Sequence, residues 1–478
     1  MTSRRDFFGR MGDGLVGAAL AGLFAKDFGL CSSNSAQAAA VSPSGLGARP
    51  ADFEPRATAV IQLFMTGGPS QVDLFDPKPA LEKHAGELPR AFLDNVESVG
   101  SAGGLMPSPF TFRQHGQSGI PMSNVIPELA ECADEITVIR SMWTSSFDHL
   151  AAIFFMHSGR TLNLSPSMGA WVVYGLGSEN ENLPAYVALD DPNKVILAGK
   201  SNWQAGFLPP VCQGTRLRST GTPIINLHAK DEVRFPDPVR RLARDLLAAM
   251  SRDHREARGG NAVLDARIAS YELAARMQVS ATEALDIAQE TAQTHELYGL
   301  NDSVTSSYGR RCLMARRLIE RGVRVVQVYM NCNPDDNPWD HHGNIRDKLA
   351  GSCRQTDKPV AALLKDLRRR GLLDRTLVVW GGEFGRLPIS QGGSGRDHGA
   401  NGFSVWLAGG GVKGGTTYGA TDEFGYHAVE NRVSVHDFHA TILHCLGIDH
   451  EKLVFSHHGL DERLTGVESA RVVKEIIA

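Results

Sequence analysis

None of the seven cysteines of this 478-residue chain falls in a Cys-x-x-Cys pair. That excludes the usual zinc-ribbon and thioredoxin-type readings and leaves scattered, mostly buried thiols; any disulfide pairing stays unread. There is no Lys/Arg cluster interleaved with aromatics, and the formal charge is −4, so nothing favours nucleic acid as a partner. Gly409-Gly410-Gly411 has no Lys-Ser/Thr after it and reads as a turn, not a phosphate loop. No internal repeat occurs. The only early apolar run, Leu15 to Phe24, is too short and Gly-rich for a stable membrane span.

What is present begins with an address. Arg4-Arg5 before Asp6-Phe7-Phe8, the weak apolar run and Ala36-Gln37-Ala38 resemble a twin-arginine export signal with a cleavage site. Residues 1–40 are therefore expected to be signal and tail, read by the twin-arginine export machinery, and the mature protein periplasmic or extracellular. The remainder, 41–478, is read as a single domain.

Fifty glycines and an apolar fraction of 42% suit an α/β core with many tight strand-to-helix turns. The run Ala57 to Phe64 enters Met65-Thr66-Gly67-Gly68-Pro69-Ser70, as a buried parallel strand meeting a loop would. Further strands are expected at Ile136–Arg140, Ala185–Leu189, Gly322–Met330, Thr376–Trp380 and Phe403–Ala408. A helical stretch of about 239–320 separates them and reads as a helical insertion. Helices are expected at Leu150–Met156, Val360–Arg370 and Ser434–Leu446, the last stopped by Gly447. Alternating strands and helices predict a doubly wound, mostly parallel sheet whose site lies at the carboxyl ends of the strands.

Acids and histidines collect in the loops after those strands. They are Asp73 and Asp76; Asp148 and His149, just after the hydroxyls of Thr144, Ser145 and Ser146; Asp340, His341 and His342; Glu383; and Asp397 with His398. Carboxylates with imidazoles suit a divalent metal ion such as zinc, manganese or iron. His436 and His439, one turn apart on a helix, read as packing or capping partners.

The segment Asp374 to Gly385, Asp-Arg-Thr-Leu-Val-Val-Trp-Gly-Gly-Glu-Phe-Gly, resembles the sulfatase and phosphomutase segment in which a strand ends in Ser-Asp-His-Gly. Val435 to Leu443 resembles the terminal helix of that superfamily. Three segments are similar to the exported bacterial family known as domain of unknown function 1501, itself grouped with the alkaline phosphatase superfamily. They are Gly-Gly-Pro-Ser-Gln-Val-Asp-Leu-Phe-Asp-Pro-Lys-Pro, Pro-Ser-Met-Gly-Ala-Trp-Val-Val-Tyr-Gly-Leu-Gly and His-Asp-Phe-His-Ala-Thr-Ile-Leu-His.

The resemblance implies an alkaline phosphatase/sulfatase-like fold and places Asp340, His342, Glu383 and His398 as metal ligands. Asp73 stands in for the family's first Asp, and Asp397 serves as a ligand or orients His398. The sequence departs from the superfamily at two places. Thr66-Gly67-Gly68 replaces the Asp after the first strand. Counting back from Ser158-Gly159-Arg160 reaches Asp148-His149 rather than a hydroxyl nucleophile, with Thr144 just upstream. His149, Asp148 and Thr144 are thus the candidate catalytic residues, and Arg386 or Arg396 the candidate to bind an ester anion. The activity implied is a metal-dependent hydrolysis of phosphate or sulfate esters, on a small-molecule or polysaccharide substrate. The alternative is a non-catalytic exported protein of the same fold that binds a surface polysaccharide or a protein partner.

Overall fold

The computed structural model describes residues 46–478 apart from 97–98, 191–194, 222–223, 225–236, 258–261, 331–337 and 468. The export signal expected at 1–40 lies outside the described residues. The strands of the main sheet are β1 (Ala59–Phe64), β2 (Ile136–Trp143), β3 (Tyr186–Asp190), β4 (Thr215–Arg218), β5 (Val325–Tyr329) and β6 (Thr376–Gly381). Two further strands, β7 (Gly385–Gln391) and β8 (Gly395–Gly399), form a small separate antiparallel sheet with Ala102–Leu105. Then come β9 (Phe403–Ala408), β10 (Thr416–Tyr418) and β11 (Val433–Ser434), which return to the main sheet.

The main sheet runs β10-β2-β9-β6-β1-β5-β3-β4, with β11 beside β2. Every described pairing in it is parallel except those of β9, which lies antiparallel between β2 and β6. The protein is therefore a mixed α/β structure around a large, mostly parallel sheet. Because β9 reverses, β2 runs in the same direction as β6, β1 and β5. The chain leaves all four of these strands on one edge.

Both faces of β1 are buried, which accounts for its sequence being apolar at every position but Gln62. Ile61 and Leu63 join one core with Leu313 and Leu318 of α5 (Ser306–Glu320) and Leu363 and Leu367 of α6 (Ile345–Arg369). Val60 and Phe64 join the other with Trp171 of α2 (Met168–Leu176) and Phe438 and Leu443 of α7 (Val435–Cys445). The single polar residue of β1 is satisfied: Gln327 Nε2 donates to Gln62 Oε1 at 2.8 Å, while the Tyr186 and Tyr329 hydroxyls donate to Gln327 Oε1. An unpaired amide here would cost roughly 1–3 kcal/mol.

Between the sheet segments, the described part of 237–320 is helical, including α3 (Asp237–Ala257) and α4 (Ala262–Leu285). α6 starts fifteen residues before the expected Val360 because Pro359 sits inside it rather than at its start. The helix after β2, α1 (His149–Ser158), begins one residue earlier than expected. Asp148 is its N-cap, accepting from the Ala151 N–H at 3.0 Å. Among the described residues no helix is long and apolar enough to cross a membrane.

Candidate metal centre

Four loops converge at the edge where β1, β2, β5 and β6 end. The β1 loop turns at Gly67 (φ +117°), where a Cβ would fall 2.5 Å from the backbone nitrogen of Asp340. Only glycine lets the β1 and β5 loops approach this closely. The Gly67 N–H, where the resemblance expects an acid, donates to both oxygens of Glu383, at 2.9 and 3.1 Å.

His149, Asp340, His342 and His398 come together so that one ligand atom from each lies within 4.8 Å of all the others. His342 Nε2 is 2.7 Å and His398 Nε2 3.2 Å from Asp340 Oδ1, and the two ring nitrogens are 3.0 Å apart. His149 Nε2 lies 3.2 Å from Asp340 Oδ2 but off the line of a hydrogen bond, buried and without a hydrogen-bond partner.

The opposite nitrogen of each ring meets an acceptor. His149 Nδ1 faces Glu383 Oε1 at 2.6 Å, His398 Nδ1 faces the Phe147 carbonyl at 2.8 Å, and His342 Nδ1 faces Gln391 Oε1. These partners place a ring proton on each Nδ1 and turn three Nε2 atoms toward one carboxylate, where a cation would replace any second proton. Bonds of about 2.0–2.2 Å set ligand atoms at most about 4.4 Å apart, so contraction by a few tenths of an ångström seats one cation. Three imidazoles and a carboxylate, with outer acceptors fixing each ring, fit a zinc-, manganese- or iron-type ion.

Electrostatics agree with that fit. Burial opposes ionisation of Asp340, but the three histidines and Arg386 hold its carboxyl well below the usual range. Burial favours neutral His149, yet Asp340 and Glu383 outweigh it and raise the imidazole to about 9. His342 is also raised: Asp340 overcomes its burial. His398 is lowered, chiefly by burial. The Phe384 ring packs 5.0 Å from His149 and 4.7 Å from His398, between centroids. His342 is the most open of the four, its side chain 32% exposed, and marks the mouth.

Several residues singled out in the sequence stand elsewhere. Glu383 is fully buried behind His149, with Oε1 facing Nδ1 of that ring, and is not among the four residues of the cluster. Asp73 forms a fully buried two-pronged pair with Arg396, at 2.7 and 3.1 Å, away from the cluster. Arg396 spends its remaining donors on backbone carbonyls, including Pro388 and Met106. Arg386 is 1% exposed; it donates to the carbonyls of Gly67, Gly68, Trp339 and Arg396 and to Asp340 Oδ1. Neither guanidinium is available to an ester anion.

Asp397 Oδ1 accepts the backbone N–H of His398, whereas the Phe147 carbonyl holds the His398 ring. Asp148 is committed to capping α1. Thr144 is only 3% exposed, and its Oγ1 is buried without a hydrogen-bond partner. His341 turns the other way, to the Pro338 carbonyl and the Ser352 hydroxyl, and burial lowers it to about 3. His436 and His439 each donate from Nε2 to a carbonyl at the end of α1, Gly159 and Met156, at 2.8 and 2.9 Å. Sequence reading missed Gln391 and the Phe147 carbonyl. Nothing marks a strand-end glutamine or a backbone oxygen as a histidine partner.

Residues 57–477 match the family described as protein of unknown function (DUF1501). The chain belongs to that family. No curated protein matches this DUF1501 chain in sequence. Solved structures similar to it include the lipoteichoic acid synthase LtaP from Listeria monocytogenes, with TM-score 0.38 and 10% identity over 89% of this chain and 79% of that one. Another is the phosphonate monoester hydrolase SpPMH from Silicibacter pomeroyi, with TM-score 0.34 and 10% identity over 88% and 76% of the two chains. A protein in the alkaline phosphatase superfamily from Vibrio parahaemolyticus gives 0.34 and 9% over 92% and 78%.

Proposed function

We propose that this protein is an exported, metal-dependent hydrolase of phosphate or sulfate esters, on an alkaline phosphatase/sulfatase-like scaffold. The observation that carries the reading is the set of three Nε2 atoms converging on Asp340, each ring fixed from behind. A bound divalent cation supplies positive charge where the ester oxygens grow more negative in the transition state.

The chain's own residues hold that arrangement. Asp340 provides the anionic ligand and is itself gripped by Arg386. Glu383 keeps the His149 proton on Nδ1, with Gly67 steadying the carboxylate. Thr144 is closed off and Asp148 is an N-cap, and this reading assigns the role of nucleophile to water. Residues 1–40 serve as a twin-arginine signal read by the export machinery, so the protein works in the periplasm or outside the cell. Residues 41–478 act as one unit, with a helical insertion at about 239–320, on a small-molecule or polysaccharide ester.

A specific observation favours a second reading. With Arg386 and Arg396 both buried and engaged, no guanidinium among those singled out reaches an ester anion. A non-catalytic exported protein of this fold, binding a surface polysaccharide or a protein partner, would look the same here. Turnover of aryl phosphates and aryl sulfates, with and without added divalent cation, separates the two. Cation-dependent turnover that disappears in His398→Ala supports the hydrolase; a metal-loaded protein inert on both substrate classes supports the second reading.

A further inference from the structure

A cavity of about 730 Å³ opens beyond the far end of α1 from the metal centre. His149 is the first residue of α1 and Arg160 follows its C-terminal cap, Gly159, so the two places are about 15 Å apart along the helix. Its walls carry Arg160, Lys200, Gln204, Phe207, His457 and Glu462.

The chemistry of this wall differs from that of a hydrophobic crevice. Phe207 and His457 lie ring on ring, 4.9 Å apart and 19° from parallel, and Phe455 also stacks on Phe207, at 6.0 Å and 20°. Arg160 pairs with Glu462 across the cavity, whereas Lys200 is exposed and no carboxylate of the wall pairs with it. With His457 lowered by burial and neutral, the lining carries one net positive charge.

The wall is also preformed. Gln204 Nε2 ties the 160–167 loop through Asn163 Oδ1 at 3.0 Å and the Ser165 carbonyl at 3.1 Å. That loop presses on Gly206, where a Cβ would fall 2.5 Å from the Leu164 carbonyl oxygen. Leu164 is held at φ +94° with its side chain 77% exposed at the cavity wall. A large apolar residue kept both strained and open is unusual unless its position serves a contact.

A flat aromatic face and a surplus cation are what a sugar ring bearing an acidic substituent meets in a binding site. We propose that this cavity is a binding site for an acidic oligosaccharide, separate from the metal centre, with a sugar face on the Phe207–His457 stack and its anionic group at Lys200. The inference does not rest on the metal reading. It gives the protein a grip on a polymer one helix length from the metal.

The test measures binding of a fluorescent sulfated dextran oligosaccharide and of uncharged dextran to the full chain. Wild type binds the sulfated probe and not the uncharged one. Phe207→Ala and Lys200→Ala each weaken that binding about tenfold, the size of a lost stacking or charge contact. Lys200 is on the surface, so Lys200→Ala stays informative even where Phe207→Ala fails to fold. Wild-type affinity in Lys200→Ala or in folded Phe207→Ala overturns the proposal, as does a wild type that ignores the sulfated probe or binds both probes equally.

Discussion

Glu383 Oε1 lies 2.6 Å from Nδ1 of His149, a contact between residues 234 positions apart. The carboxylate sets the tautomer of the imidazole whose Nε2 joins the cluster with Asp340, His342 and His398. Removing that anchor lowers metal affinity without removing a ligand. Glu383→Gln is expected to weaken zinc binding about 10–100-fold while the chain stays folded. Competition against a chromogenic chelator measures it, and unchanged affinity would place His149 outside the metal site.

Metal binding should depend on pH with a definite sign. In the metal-free protein His149 is raised to about 9, so below that pH it carries a proton that the cation must displace. Apparent affinity then rises with pH by about tenfold per unit for this one proton and levels off near 9. Isothermal titration in buffers of different ionisation enthalpy counts the protons released. A flat profile from pH 6 to 9 would contradict the assignment.

The Asp73–Arg396 pair is expected to act as a stability element and not as part of a metal site. Both side chains are fully buried, and breaking such a pair by removing one partner costs about 3–5 kcal/mol. Asp73→Ala should unfold at distinctly lower denaturant concentration yet keep the metal-to-chain ratio of wild type when folded. Loss of metal with unchanged stability would restore Asp73 as a ligand.

Acid should destabilise the fold through histidines remote from the cation. Burial lowers His157 to about 3 and His439 to about 4, against about 6.5 in the unfolded chain. Folded-state values below the unfolded one mean that the unfolded state takes up protons first. Their contribution is complete above pH 6.5 and is lost as pH falls toward 3–4. Denaturant melts of the metal-free protein should show stability dropping over that window, and less steeply in His157→Gln. An equal slope in the variant would remove His157 from the account.

The strands were legible because burial on both faces leaves a plain signature. Ala-Val-Ile-Gln-Leu-Phe and Phe-Ser-Val-Trp-Leu-Ala read as strands from composition alone, and the latter spans Phe403–Ala408 in both sequence and structure. The direction of β9 was not legible, since nothing in its residues distinguishes parallel from antiparallel. β8 was read as loop because Gly, Arg, Asp and His fill it, and β7, with Gly and Pro among its residues, was not read as a strand.

The site was legible as residue types in the loops after strands, and the structure brings His149, Asp340, His342 and His398 together. The division of labour among the acids was not. Asp73, Glu383 and Asp397 look alike in sequence, and only their distances to Arg396, His149 and the His398 backbone tell them apart.

The central claim is that His149, Asp340, His342 and His398 hold one divalent cation. Elemental analysis by inductively coupled plasma mass spectrometry, on wild type and on His342→Ala and His398→Ala purified alike, tests it directly. The account predicts close to one divalent metal ion per wild-type chain after dialysis, and a small fraction of that in either folded variant. A wild type that stays metal-free when zinc, manganese and iron are each supplied, or variants that retain the full complement, would contradict it.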